Sequence, residues 1–273
     1  METSEQLKEL VRKKYGEIAL QEKDDNQSSC CGSGCCSTEV YNVMTDDYSS
    51  LQGYTPDADL GLGCGLPTQF AAIKKGDTVI DLGCGAGNDC FVARAETGES
   101  GTVIGIDFTP AMIRKARENA AKLGFSNVEF RMGDIENMPV SSGSADVVVS
   151  NCVLNLVPDK VSVFKEIYRV LKPGGHFSIS DIVLVGSLPA KIQAAAEMYA
   201  GCVAGASQKT AYLGFINQAG FNDILVQKEK AIVLPHDILA QYLNDGEIAA
   251  FAASGSGIFS VTVFARKPAG AVC

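Results

Sequence analysis

The sequence has no run of about 18 or more apolar residues, so nothing in it reads as a membrane-spanning helix. Its first twenty residues, METSEQLKELVRKKYGEIAL, alternate charge with apolar side chains and lack the apolar stretch of a secretory signal. A soluble cytoplasmic protein is therefore expected. Positive charge is also scarce: 23 Lys and Arg stand against 32 Asp and Glu, a net charge of −9. Binding to nucleic acid or to an anionic membrane requires concentrated Lys and Arg, so neither is expected as a partner and a small substrate is. Histidine is almost missing. Only His176 and His236 occur, and neither lies in a motif resembling a catalytic histidine, which disfavours chemistry that needs an imidazole base.

What the chain does have is length, apolar content and thiols. At 273 residues, 46% of them hydrophobic, it can fill a core without help from metals or disulfides. Ten cysteines in a long chain without a secretion signal read as thiols for soft ions or as redox groups rather than as a disulfide scaffold.

The chain divides into three expected regions. Residues 1–50 combine an amphipathic helix with a polar, glycine- and serine-containing segment around CCGSGCC. The helix is either an ordinary surface helix or a lid. Residues 51–186 alternate strand-like and helix-like stretches. TVIDLGCG, GTVIGIDF, NVEFRMGD, ADVVVSN and HFSISDIVL read as strands; PAMIRKARENAAKLG and DKVSVFKEIYRVLKPGG read as helices, the second stopped by Pro-Gly-Gly. Repeated βα units imply an α/β fold built on a doubly wound parallel sheet. Residues 187–273 switch to helices (PAKIQAAAEMYAGCV, KTAYLGFINQAG) and then isolated strands, as in a smaller C-terminal α+β domain.

In IDLGCGAG, Gly83, Gly85 and Gly87 follow a hydrophobic strand and open a helix, so backbone can approach a ligand at the helix N-terminus. Alone, the pattern serves NAD or FAD equally well. Acidic Asp81 precedes the loop, and Asp107 ends the next strand, where a carboxylate can accept ribose hydroxyls. Asp134 ends the third strand in MGDIENMP. Taken in order, DLGCGAG, GIDFTPAMI, GDIENMPV, ADVVVSN and VLKPGGHF resemble the class I methyltransferase superfamily across about residues 70–185. That resemblance implies S-adenosylmethionine as cofactor, lined by Asp81, Gly83, Gly85, Gly87, Asp107, Asp134, Ile135 and Asn151, with Phe108, Thr109 and Met112 nearby.

A shared methyltransferase fold does not name the acceptor, so the acceptor has to come from the residues that are not generic. Here those are cysteines: Cys64 in LGLGCGLPT, Cys152 after the fourth strand in SNCVLNLVPDK, and Cys202 in YAGCVAGA. Ligands bind at the C-terminal edge of such sheets, which sets Cys152 beside the reacting methyl. GCG at 63–65, NCVLNLVPDK at 151–160, GC at 201–202 and a cysteine-rich N-terminal segment together resemble the arsenite methyltransferase family. The resemblance implies ligation of trivalent arsenic by Cys64, Cys152 and Cys202. A soft centre favours thiolates, and its lone pair needs no general base. Cys84 and Cys90 read as small buried hydrophobes.

Oxidative methylation leaves pentavalent arsenic, and a further round needs two electrons, which a protein dithiol can supply on forming a disulfide. By resemblance Cys30, Cys31, Cys35 and Cys36 serve such a relay, with thioredoxin or glutathione as reductant; the same pairs could instead capture arsenite or thiol-bound arsenic. Three other readings stay open. They are a methyltransferase of a small organic acceptor, an arsenic-binding protein without catalysis, and a zinc protein, although CCGSGCC lacks the paired CxxC spacing of zinc sites.

Overall fold

The computed structural model describes residues 4–20, 46–190, 203, 205–234, 236–240 and 243–270. The expected relay cysteines Cys30, Cys31, Cys35 and Cys36, together with Cys202, lie outside them. Among the described residues no helix is long and apolar enough to cross a membrane.

Strands β1 (Thr78–Leu82), β2 (Thr102–Asp107), β3 (Val128–Met132), β4 (Ala145–Asn151) and β5 (Leu171–Val185) lie parallel in the order β3-β2-β1-β4-β5. The two-residue strand β6 (Ser207–Gln208) pairs parallel with Val183–Leu184 of β5. β7 (Asn222–Ile232) and β8 (Gly257–Arg266) continue the same sheet antiparallel, with β8 seated on β5 from His176↔Arg266 to Val185↔Gly257. The strands read from sequence as isolated C-terminal elements therefore extend the central sheet.

Period-two alternation distributes the core to both faces. Val79, Val103, Val147 and Val149 face helices α2 (Asn88–Thr97) and α3 (Pro110–Leu123). Ile80, Ile104, Ile106 and Val148 face α4 (Lys160–Val170) and α5 (Lys209–Gln218). The central strands are buried on both sides, which is why they read as unbroken apolar runs.

Local chemistry sets the helix limits. Pro110 opens α3, Gly124 closes it in the left-handed region (φ 67°), and its buried stripe is Met112, Ile113, Ala116, Asn119 and Ala120. Asp159 caps α4 by accepting the Ser162 N–H at 3.1 Å. That helix ends at Val170, short of the expected Pro-Gly-Gly stop. Leu171 is already extended (φ −69°, ψ 138°) and begins β5, because Pro173 disfavours helical backbone just before it.

After β3 the chain returns to place β4 on the other side of β1. This reversal is a topological switch point, and the C-terminal ends of β1, β2 and β4 open there on one edge.

One carboxyl in the sheet carries a stability consequence. Asp181 on β5 is fully buried, and burial pushes its pKa up to about 7, against the pull of Lys160, the Tyr212 hydroxyl and the Ile182 and Asn155 N–H groups. The folded state then holds this proton more tightly than the unfolded state, whose pKa is near 3.8. Its contribution to stability is complete at acid pH and is lost as pH rises towards 7. Thermal melting is expected to fall between about pH 5 and about pH 8, with a shallower fall in Asp181→Asn. Equal slopes in parent and variant would contradict this.

Candidate active site

A cavity opens at the C-terminal ends of β1, β2 and β4. Of the residues expected from sequence to hold the cofactor, Asp81, Gly83, Gly85, Asp107, Phe108, Thr109, Met112, Asp134, Ile135 and Asn151 line it. Gly87 does not. It is the N-cap of α2, and a Cβ there would meet the Phe91 and Phe130 rings at 2.9 and 3.0 Å, so its smallness serves packing. Gly85, at φ 52°, has nothing within 4 Å of where a Cβ would be, leaving its backbone open to the cavity. Asp107 is held by two backbone donors, the Thr109 N–H at 2.7 Å and the Gly85 N–H at 3.1 Å. Its oxygens keep lone pairs for ribose hydroxyls. An open glycine backbone with a fixed acid at the next strand end fits S-adenosylmethionine.

Several lining residues had no sequence signal. Helix α1 (Ser4–Ile18) contributes Lys8, Val11 and Tyr15, so it covers the cavity rather than lying free on the surface. Lys8 donates to Asp134 at 2.7 Å and also pairs with Glu136. Tyr48 and Asp89 form a buried pair, with the Tyr48 hydroxyl 2.8 and 3.0 Å from the two carboxylate oxygens. Asp89 occupies the first turn of α2, where a carboxylate complements the helix dipole. Tyr48 lies 41 residues away, and only the tertiary fold joins the two.

The buried acids differ in their support. Burial raises Asp89 to about 6, opposed by bonds from Tyr48, Asn151 and Thr68. Asp81 is pushed well above the usual carboxylate range by burial and by the nearby Asp89, while the Cys90 thiol donates to it at 3.2 Å. Asp107 is raised by burial against its backbone donors. Burial also raises Cys84, to about 11, and Cys90 further, so both are thiols at neutral pH.

The cysteine side of the cavity is built around Asn151. Its Oδ1 accepts the Cys64 N–H at 3.0 Å, and its Nδ2 donates to the Gly65 carbonyl at 2.8 Å. Ser260 donates to the Cys64 carbonyl at 2.5 Å. The glycines flanking Cys64 permit this approach. A Cβ on Gly63 would lie 2.6 Å from Asn151 Nδ2, and one on Gly65 would lie 2.5 Å from Ser180 Oγ. Cys152 lines the cavity and holds φ at 61°, a left-handed conformation that a non-glycine residue keeps only when its surroundings impose it. Its N–H donates to the Ser180 carbonyl at 2.8 Å.

Cys64 and Cys152, separated by 88 residues, are joined as a disulfide with Cα atoms 5.8 Å apart. Sequence reading expected two free thiolates there; the pair is brought together, but in oxidised form. Cys202 is outside the described residues, although its neighbour Val203 is buried in the same apolar cluster as Cys64 and Cys152. Neither histidine lines the cavity. His176 Nε2 sits 2.6 Å from the Ala71 carbonyl, and His236 is exposed.

Two substitutions test this geometry. Tyr48→Phe removes a donor from a buried carboxylate and should lower stability by about 1–3 kcal/mol, more at about pH 8 than at about pH 5 because the lost bond favours ionised Asp89. Gly65→Ala should cost a similar amount, about 1–3 kcal/mol by overpacking against Ser180, as read by denaturant unfolding.

Comparison with known proteins bears on the same residues. A family model described as a methyltransferase domain matches residues 73–220. An arsenite methyltransferase of Halobacterium salinarum is 42% identical, over 97% of this chain and 68% of its own length. One from Aquipseudomonas alcaligenes is 32% identical, over 88% of this chain and 69% of its own. Among solved structures, an arsenic(III) S-adenosylmethionine methyltransferase from Chlamydomonas reinhardtii superposes with a TM-score of 0.63 at 31% identity, covering 85% of this chain and 74% of that one. Since the likeness extends over 97% of this chain at 42% identity and beyond the methyltransferase domain at 73–220, the chain belongs to the arsenite methyltransferase family.

Proposed function

We propose that this chain methylates trivalent arsenic held by the thiolates of Cys64, Cys152 and Cys202, using S-adenosylmethionine as donor. The observation that carries the reading is the pairing of Cys64 with Cys152, the latter lining the same cavity as Gly83, Gly85 and Asp107. The names of the relatives support the same acceptor.

Bound S-adenosylmethionine supplies an electrophilic methyl on a cationic sulfonium. The protein's part is to bind and orient. Asp107 would accept from the ribose hydroxyls, the Gly83–Gly85 backbone would lie against the cofactor, and α1 already lines the cavity through Lys8, Val11 and Tyr15. Asp81, Asp89 and Asp107 line the cavity with carboxyls whose burial favours the neutral form, and a cationic ligand beside them would favour their ionised forms. On the other side the cysteines exchange for the hydroxides of arsenous acid, which leave as water with the thiol protons. The arsenic lone pair is then the nucleophile, so no base has to be within reach, in keeping with a cavity that neither histidine lines. Holding the two centres in line is the main source of rate.

The disulfide of Cys64 with Cys152 is the oxidised form of two of the proposed ligands, so arsenite binding requires its reduction by a thiol such as thioredoxin or glutathione. Cys30, Cys31, Cys35 and Cys36 are proposed to supply electrons for later rounds. A reducing cytoplasm and a role in arsenic detoxification complete the reading.

Cys152→Ser is expected to lose methylation of arsenite by about a hundredfold or more while binding S-adenosylmethionine as the parent does. Arsenic species resolved over time, with equilibrium dialysis of labelled cofactor, make the measurement. Arsenite turnover at the parent rate would refute the three-thiolate site. Arsenite binding without any turnover in the reduced parent would favour an arsenic-sequestering protein instead.

A further inference from the structure

Lys160 closes the motif NCVLNLVPDK, yet it lines no part of the cavity. It is also oddly placed. As the first residue of α4 its ammonium sits at the helix end that favours anions, and the residue is only 8% exposed. Burial draws its pKa below the ordinary lysine range, with Asp181 opposing. A lysine held at such cost should make a contact that the fold uses.

That contact is with the chain just after Cys202. Lys160 Nζ donates to the Gly205 carbonyl at 2.8 Å. Gly205 is pressed against the turn Leu154–Leu156 so closely that a Cβ would lie 1.9 Å from the Asn155 carbonyl oxygen. Asn155 is itself fixed to β5, donating through Nδ2 to the Ile182 carbonyl at 2.7 Å. Ala206 N–H closes a turn on the Val203 carbonyl at 3.0 Å, and Val203 is buried with Cys64 and Cys152. From Gly205 back to Cys202 is three Cα steps, about 11 Å of chain at most.

We propose that Lys160 is a positioning residue for the arsenic site, clamping the Gly205 backbone and so the segment whose Val203 packs beside Cys64 and Cys152. The inference rests on the three-thiolate reading. One segment, 151–160, then carries a proposed ligand at one end and the clamp at the other, with Asp181 as the acidic group acting on the buried ammonium.

The test uses reduced full-length protein and arsenite itself, with Lys160→Met, Lys160→Arg, Gly205→Ala and Cys202→Ser. Lys160→Met should weaken arsenite binding and raise the arsenite KM about tenfold, the size expected for losing a charged hydrogen bond. Affinity for S-adenosylmethionine should stay within about twofold. Lys160→Arg, which keeps the charge and a donor, should recover most of the loss. Unchanged arsenite affinity in Lys160→Met overturns the proposal, as does an equal loss for arsenite and cofactor or a failure of arginine to rescue. Should Lys160→Met not fold, Gly205→Ala carries the test: it should show the same selective loss, and parent-like arsenite binding overturns the clamp. Cys202→Ser separates the two levels. If it binds arsenite normally, the three-thiolate reading falls and the clamp with it; if it is impaired while Lys160→Met is not, only the clamp falls.

Discussion

The carboxamide of Asn151, at the end of β4, accepts the Cys64 N–H through Oδ1 and donates through Nδ2 towards the Gly65 carbonyl, Tyr48 and Asp89. Both halves of the site depend on this group. One side of the amide fixes the loop bearing Cys64; the other reaches the pair that borders the cofactor wall; the next residue in the chain is Cys152. A buried amide offers four hydrogen-bonding positions in a rigid plane, so it can hold three separate segments in one geometry. The glycines on either side of Cys64 follow from the same contact, since side chains there would collide with Asn151 or Ser180.

Around this joint the protein tolerates an unusual density of buried carboxyls. Asp81, Asp89, Asp107 and Asp181 are all buried, and each is raised by desolvation. Three of them border the cavity, where a cationic ligand would offset part of the cost of burying them. The fourth is balanced internally by Lys160 and Tyr212. The cavity thus carries buried carboxyls and Cys152 on one lining.

The sequence made the sheet and many of the residues that line the cavity legible, because both rest on local chemistry. Alternating apolar runs mark the strands, and Gly85 and Asp107 each sit beside the strand whose end they occupy. The reading went astray where tertiary packing competes with local pattern. Gly87 belongs to the glycine signature but serves the packing of Phe91 and Phe130, and the Pro-Gly-Gly segment opens β5 rather than closing α4. Tyr48, Asp89 and Lys8 escaped notice because a tyrosine in a polar stretch, an acid at a helix start and a lysine on an amphipathic helix are ordinary in isolation.

By itself the sequence determined the βα alternation, the glycine loop, the acid at the end of β2 and the identity of the cysteines, since each is written in a few adjacent residues or in one residue type. The tertiary structure alone decided that Cys64 meets Cys152 across 88 residues, that α1 covers the cavity and that Lys160 reaches the backbone beyond Cys202. Those contacts join segments remote in the chain. No local periodicity encodes such a meeting; it exists only once the order of the strands has brought their ends to one edge.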